Sequence, residues 1–199
     1  MAERTAALVL AGGGARRLGG IDKPLLPLAG ATILARIIAR LDAADIAISA
    51  NGDPARFASF GLPVLPDGAF GGEGPLAGLL AGLDWAAWRG AASLLTVPGD
   101  TPFIPAGLAA ALHPAPACAA SGGRVHHLVA LWPVTCRTLL RCNLSVSGSR
   151  AVGSFAASIG MRYVDFPVRS PDSFLNVNTP DDLALARIVT RSTGAEEAT

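Results

Sequence analysis

The residue types suited to phosphate chemistry gather near the amino end, in Leu8 to Gly30 (LVLAGGGARRLGGIDKPLLPLAG). Gly12, Gly13 and Gly14 stand in a row, Arg16 and Arg17 follow, and Gly19, Gly20 and Asp22 lead into Lys23. Glycine backbones reach left-handed angles and can turn several N–H groups toward one point, so a glycine loop after a strand is suited to hold an anion. Lys23 is the single lysine among 16 basic residues, the other 15 being arginine. An ammonium is a compact point charge that fits beside a phosphate, whereas a guanidinium is a wide planar fork. Asn51, Asp67 and Asp100 are three more polar residues placed where short apolar runs end.

Those positions make sense only if the runs before them are strands. Leu8 to Ala11 has the length and flanks of a buried parallel strand. Ile33, Leu34, Ile37, Ile38 and Leu41 then mark one helical face. Ile46 to Ala50 reads as a second strand, ending at the turn Asn51-Gly52-Asp53-Pro54. A short helix over 55–59 precedes a third strand, Leu62 to Leu65, which stops at Pro66-Asp67-Gly68. The glycine-rich 68–74 feeds a helix opening at Pro75, with Leu76, Leu79, Leu80 and Leu83 as its stripe. Ser93 to Val97 is a fourth strand, ending at Pro98-Gly99-Asp100-Thr101-Pro102. The order predicts an α/β protein, a Rossmann-like open and mostly parallel sheet with helices on both faces. Ligands of such sheets bind outside the carboxyl ends of the strands, where Lys23, Asn51, Asp67 and Asp100 arrive.

The second half is less regular. It predicts helices over 105–112, 136–142 and 150–159, and strands over 128–132 and 161–166. The segment 114–121 is rich in Pro and Ala around an apolar centre. Thr179 is a natural N-cap and Pro180 a natural first residue for a closing helix, and the chain from Ser192 reads as a polar tail. His126 and His127 are adjacent, so on a strand they point to opposite faces and do not chelate one metal together. A substrate-side role for His127 and a packing role both stay open.

Composition narrows the classes. The 199 residues are expected to form a single domain. Hydrophobic residues make up 51% and charged residues 16%, with a net charge of +1. Nothing global therefore draws the chain to nucleic acid or to anionic lipid. Mean hydropathy is +0.44, yet 23 Gly and 15 Pro break every apolar run short of the roughly 18 residues of a membrane span. Cys118, Cys136 and Cys142 are odd in number and lack zinc or redox spacing, which predicts reduced structural thiols and a cytoplasmic location.

Spacing excludes two common phosphate loops. Gly14 and Gly19 are followed by Gly20 rather than Lys-Ser/Thr, so the loop is not a Walker A motif. Counted from Gly12 and Gly14, the third glycine of a dinucleotide fingerprint is replaced by Arg17. Leu10-Ala11-Gly12-Gly13, then Arg17, Leu18, Gly19, Gly20 and Lys23, instead resembles the signature of nucleotidyltransferases that activate NTPs. More narrowly it is similar to the molybdenum cofactor guanylyltransferase family. The resemblance runs in order through Asn51, Asp67, Gly74 to Gly78, Gly99 to Pro102, Arg150 and Asn176-Val177-Asn178-Thr179-Pro180.

The resemblance implies transfer of GMP from GTP to molybdopterin, with Mg²⁺ as cofactor. It implies GTP binding by Leu10, Ala11, Gly12, Gly13, Lys23, Asn51, Asp67 and Asp100, with Asp67 accepting from guanine. Arg17, Lys23 and Asp100 would be catalytic, and Asp100 would hold the metal; the competing structural reading, that Asp100 only caps an Asp-Thr-Pro turn, is the weaker one. Gly74, Gly78, Arg150, Asn176 and Asn178 would face the molybdopterin side, with 6–104 serving the nucleotide and 105–191 the second substrate. Chaperones of molybdoenzymes or other proteins of cofactor biosynthesis are implied partners; nucleic acid and membrane are not. Competing readings are a cytidylyltransferase for the same cofactor, a sugar-phosphate nucleotidyltransferase, and a non-catalytic nucleotide-binding adaptor.

Overall fold

The computed structural model describes residues 3–12, 22–146, 149–168 and 170–196. Its centre is a seven-stranded sheet. In chain order the elements are β1 (Thr5–Leu10), α1 (Ile33–Arg40), β2 (Asp45–Ser49), β3 (Val64–Leu65), α2 (Pro75–Trp88), β4 (Ser93–Pro98), α3 (Leu108–Leu112), β5 (Ala117–Ser121), β6 (Arg124–Pro133), α4 (Arg137–Ser145), α5 (Val152–Ser158), β7 (Arg162–Asp165) and α6 (Pro180–Glu196). The strands lie in the order β3-β2-β1-β4-β6-β5-β7. Strands β1 to β4 pair parallel, β6 runs antiparallel to both β4 and β5, and β7 returns parallel to β5. The sheet is thus mostly parallel, as expected.

Period-2 alternation sends successive side chains to opposite layers. Ala7 and Val9 of β1 meet Ile33, Leu34 and Ile37 of α1 and Ala186 of α6. Ala6 and Leu8 meet the α2 stripe of Leu76, Leu79 and Leu83, and the same layer continues through Trp132 and Phe155. Helices therefore cover both faces. Burying a Leu or Ile side chain of this kind stabilises by about 1.5–3 kcal/mol before ordering costs.

Several boundaries differ from the sequence expectation. The strand expected over 128–132 starts at Arg124, because β5 and β6 form a hairpin across Gly122-Gly123. Both glycines have positive φ, 54° and 77°, which is what a two-residue hairpin turn needs. The helix expected over 105–112 begins at Leu108. The last helix runs through to Glu196, past Ser192 where the composition reads as a tail. Among the described residues no helix is long and apolar enough to cross a membrane.

Candidate active site

The chain leaves β1 and turns to β2 and β3 on one side, then returns to β4 on the other. The neighbouring carboxyl ends of β1 and β4 are therefore a topological switch point, where an open α/β sheet leaves a crevice. A cavity of about 200 Å³ opens there. Leu10, Ala11, Gly12, Lys23, Asp67, Gly74, Gly78, Asp100 and Asn176 all line it. Gly13 and Arg17, expected to bind and catalyse, lie outside the described residues.

The strand ends are tied tightly. The Leu10 carbonyl accepts from Gly99 N at 2.9 Å, and Ala11 N donates to the Ser49 carbonyl at 2.8 Å. At one end of the cleft, Asp67 is held by Asn51, which does not itself line the cavity, in a reciprocal pair. Asn51 Nδ2 donates to Asp67 Oδ2 at 2.6 Å, and Asp67 N donates to Asn51 Oδ1 at 2.9 Å. The pair fixes the carboxylate and leaves Asp67 Oδ1 facing Gly78.

At the other end, Asp100 and Lys23 are each held by the segment before α6. Asn176 Nδ2 donates to Asp100 Oδ1 at 3.0 Å, and Val177 N donates to the Asp100 carbonyl at 2.8 Å. Lys23 Nζ donates to Asn178 Oδ1 at 2.7 Å. That segment is itself clamped by a capping box. Asp182 N donates to Thr179 Oγ1 at 3.1 Å. Asp182 Oδ2 accepts from Thr179 N at 2.8 Å and from Asn178 N at 3.0 Å. The two N–H donors hold the Asp182 carboxyl below the usual carboxylate range. Burial pushes Asp100 up, and Lys23 partly offsets this. A buried carboxylate so incompletely compensated is one that a further cation would stabilise.

Arg150 is placed differently. Its guanidinium donates to the carbonyls of Asn143 (2.9 Å), Val146 (3.2 Å) and Leu144 (3.2 Å) at the end of α4. It also pairs with Glu73, directly before Gly74. It thus joins the α4–α5 connection to the loop that opens α2, and is not among the residues lining the cavity. His127 packs against Gly153 and meets the Tyr163 ring edge-on at 6.3 Å.

The sequence reading passed over two residues here. Ser49 lines the cavity while only 2% exposed; a hydroxyl closing an apolar strand was the available signal. Arg56 donates to the Asn51 carbonyl at 2.7 Å and pairs with Asp22 at 2.8 Å. It therefore braces the residue before Lys23 against the Asn51 turn, an arrangement with no signature in local spacing.

Fold and cleft together define a nucleotide-handling α/β domain, and comparison with known proteins narrows the class. Residues 7–159 match the MobA-like NTP transferase domain. The structure superposes on an Archaeoglobus fulgidus protein described as molybdopterin-guanine dinucleotide biosynthesis protein A, with TM-score 0.70 and 21% identity over 94% of this chain and 99% of that one. In sequence the chain is 55% identical to a molybdenum cofactor guanylyltransferase of Acidiphilium cryptum, across 90% of this chain and 92% of the relative. A Rhodopseudomonas palustris (strain BisB5) protein of the same name is 49% identical over 92% of each chain. The chain belongs to the molybdenum cofactor guanylyltransferase family.

Proposed function

We propose that GTP enters this cleft with its base at Asn51 and Asp67 and its phosphates at the glycine loop, Lys23 and Asp100. Molybdopterin would approach from the side of 105–191, so that 6–104 serves the nucleotide and the rest the second substrate. An oxygen of the pterin's terminal phosphate attacks the α-phosphorus of GTP. The bond to the bridging oxygen breaks, pyrophosphate leaves, and GMP is joined to molybdopterin as the guanine dinucleotide. The attacking oxygen is already anionic at neutral pH, so the site needs no strong general base.

The observation that carries this reading is the arrival of Asp67 and Asp100 at two ends of one cavity. Charge builds on the departing pyrophosphate, and fixed cations and N–H donors there favour the transition state over the ground state. Lys23 is such a cation, held ready by Asn178. Mg²⁺ suits the Asp100 end, because it takes one or two carboxylates and fills its remaining positions with water and phosphate oxygens. When bound it would neutralise phosphate charge. Asn176 keeps the Asp100 carboxylate oriented.

Calorimetric titration with GTP, CTP and ATP in Mg²⁺ tests the base, and tightest binding of GTP is expected. Tighter binding of CTP would favour the cytidylyl alternative. For the phosphate end, Lys23→Ala and Asp100→Ala should each lower pyrophosphate release by about 10²–10³-fold, the scale of losing one transition-state electrostatic contact.

A further inference from the structure

Ser49 is the last residue of β2 and shares the α2-facing parity of Ala47. An alanine would pack equally well at that place. Its hydroxyl instead sits at the floor of the cavity, 2% exposed, with no hydrogen-bond partner among the described residues. The oxygen is not among the buried unpaired atoms and opens onto the cavity, so a ligand that enters the cleft can bond to it.

The surroundings say which partner. A Cβ built on Gly78 would overlap Ser49 Oγ and lie 3.3 Å from Asp67 Oδ1. Glycine costs about 1 kcal/mol relative to alanine inside a helix, yet here it leaves the hydroxyl and the carboxylate side by side at one opening. Asp67 Oδ2 is already engaged by Asn51. Guanine presents N1–H and, on the adjacent C2, an exocyclic amine. A carboxylate facing that edge takes N1–H and the nearer amine hydrogen, while the second amine hydrogen points away and needs another acceptor. The strand holds Ser49 rigidly, its carbonyl on Ala11 N and its register on Leu10 and Leu65. A site built on a strand positions a polar atom better than a loop does.

We infer that Ser49 is a specificity-determining residue whose hydroxyl accepts a hydrogen bond from the exocyclic 2-amino group of guanine. This rests on the reading that the base lies at the Asp67 end. The test compares GTP with inosine triphosphate, which lacks only that amine, by calorimetry on the full chain with Mg²⁺. Ser49→Ala should weaken GTP binding about three- to tenfold, the scale of one neutral hydrogen bond, and leave inosine triphosphate unchanged. Equal weakening of both ligands, or of neither, overturns the assignment. Asp67→Ala is measured alongside. If Asp67→Ala removes the preference for GTP over ATP while Ser49→Ala is silent, the Ser49 role alone falls. If Asp67→Ala is also silent, the base lies elsewhere and both fall.

Discussion

Asp100 bears the heaviest electrostatic demand in the cleft, since it is drawn from water while Asn176 and Lys23 only partly replace that water. Burial puts its folded pKa above the unfolded value of 3.8. Stability from the neutral carboxyl is therefore present below pH 3.8 and lost as pH rises through the raised folded value. Asp100→Asn should accordingly raise the Tm at neutral pH while suppressing turnover, and the gain should shrink on acidification. A variant less stable than the parent at pH 7 would mean that Lys23 and Asn176 already compensate the charge. Burial acts on two of the cysteines in the same sense. Burial pushes the Cys118 thiol up to about 11 and the Cys136 thiol to about 12, while Cys142 is exposed. Thiolate is the reactive form, so a maleimide at pH 7 should label Cys142 in the native protein and all three cysteines only after denaturation.

The element that does most for the site is the segment between β7 and α6. Its asparagines reach back across the chain to Asp100 and Lys23, and the Thr179–Asp182 box fixes their backbone. Thr179→Ala should cost about 1 kcal/mol of stability, read in a denaturant melt, and should also raise KM for GTP as Lys23 loses its seat. The carboxyl of Asp182 contributes stability above its unfolded pKa of 3.8 and loses it as pH falls through the lowered folded value. The melting difference between parent and Asp182→Asn should therefore be full at pH 7 and vanish in acid. This segment also shows how far sequence reasoning reaches. Thr179 as cap and Pro180 as first helical residue were legible because capping is local chemistry. The attachment of Asn178 to Lys23 was not, because it joins residues 155 positions apart. The β5–β6 hairpin was missed for another reason: Gly122-Gly123 is a hairpin signal, but the run before it, 114–121, is a Pro- and Ala-rich stretch whose apolar centre has no clear period.

Across the whole molecule, the order of strands decides where the cleft opens. The reversal between β1 and β4 opens the crevice, and the residues legible in the first half, Lys23, Asp67 and Asp100, meet there because the parallel strands that carry them end on the same side. The antiparallel β6 then carries the sheet outward to β5 and β7, and so supports the segment bearing Asn176 and Asn178 on the far wall. Arg56 was invisible at the level of motif because it joins residues far apart in sequence, Asn51 and Asp22, whereas Ser49 left only the weak signal of a hydroxyl closing an apolar strand. The most direct test of the account is product analysis by mass spectrometry after incubating the full chain with molybdopterin, Mg²⁺ and an equimolar mixture of GTP, CTP and ATP. Molybdopterin guanine dinucleotide, with one pyrophosphate released per GTP consumed, is the predicted result. A cytosine dinucleotide, or loss of GTP with no dinucleotide formed, would contradict it.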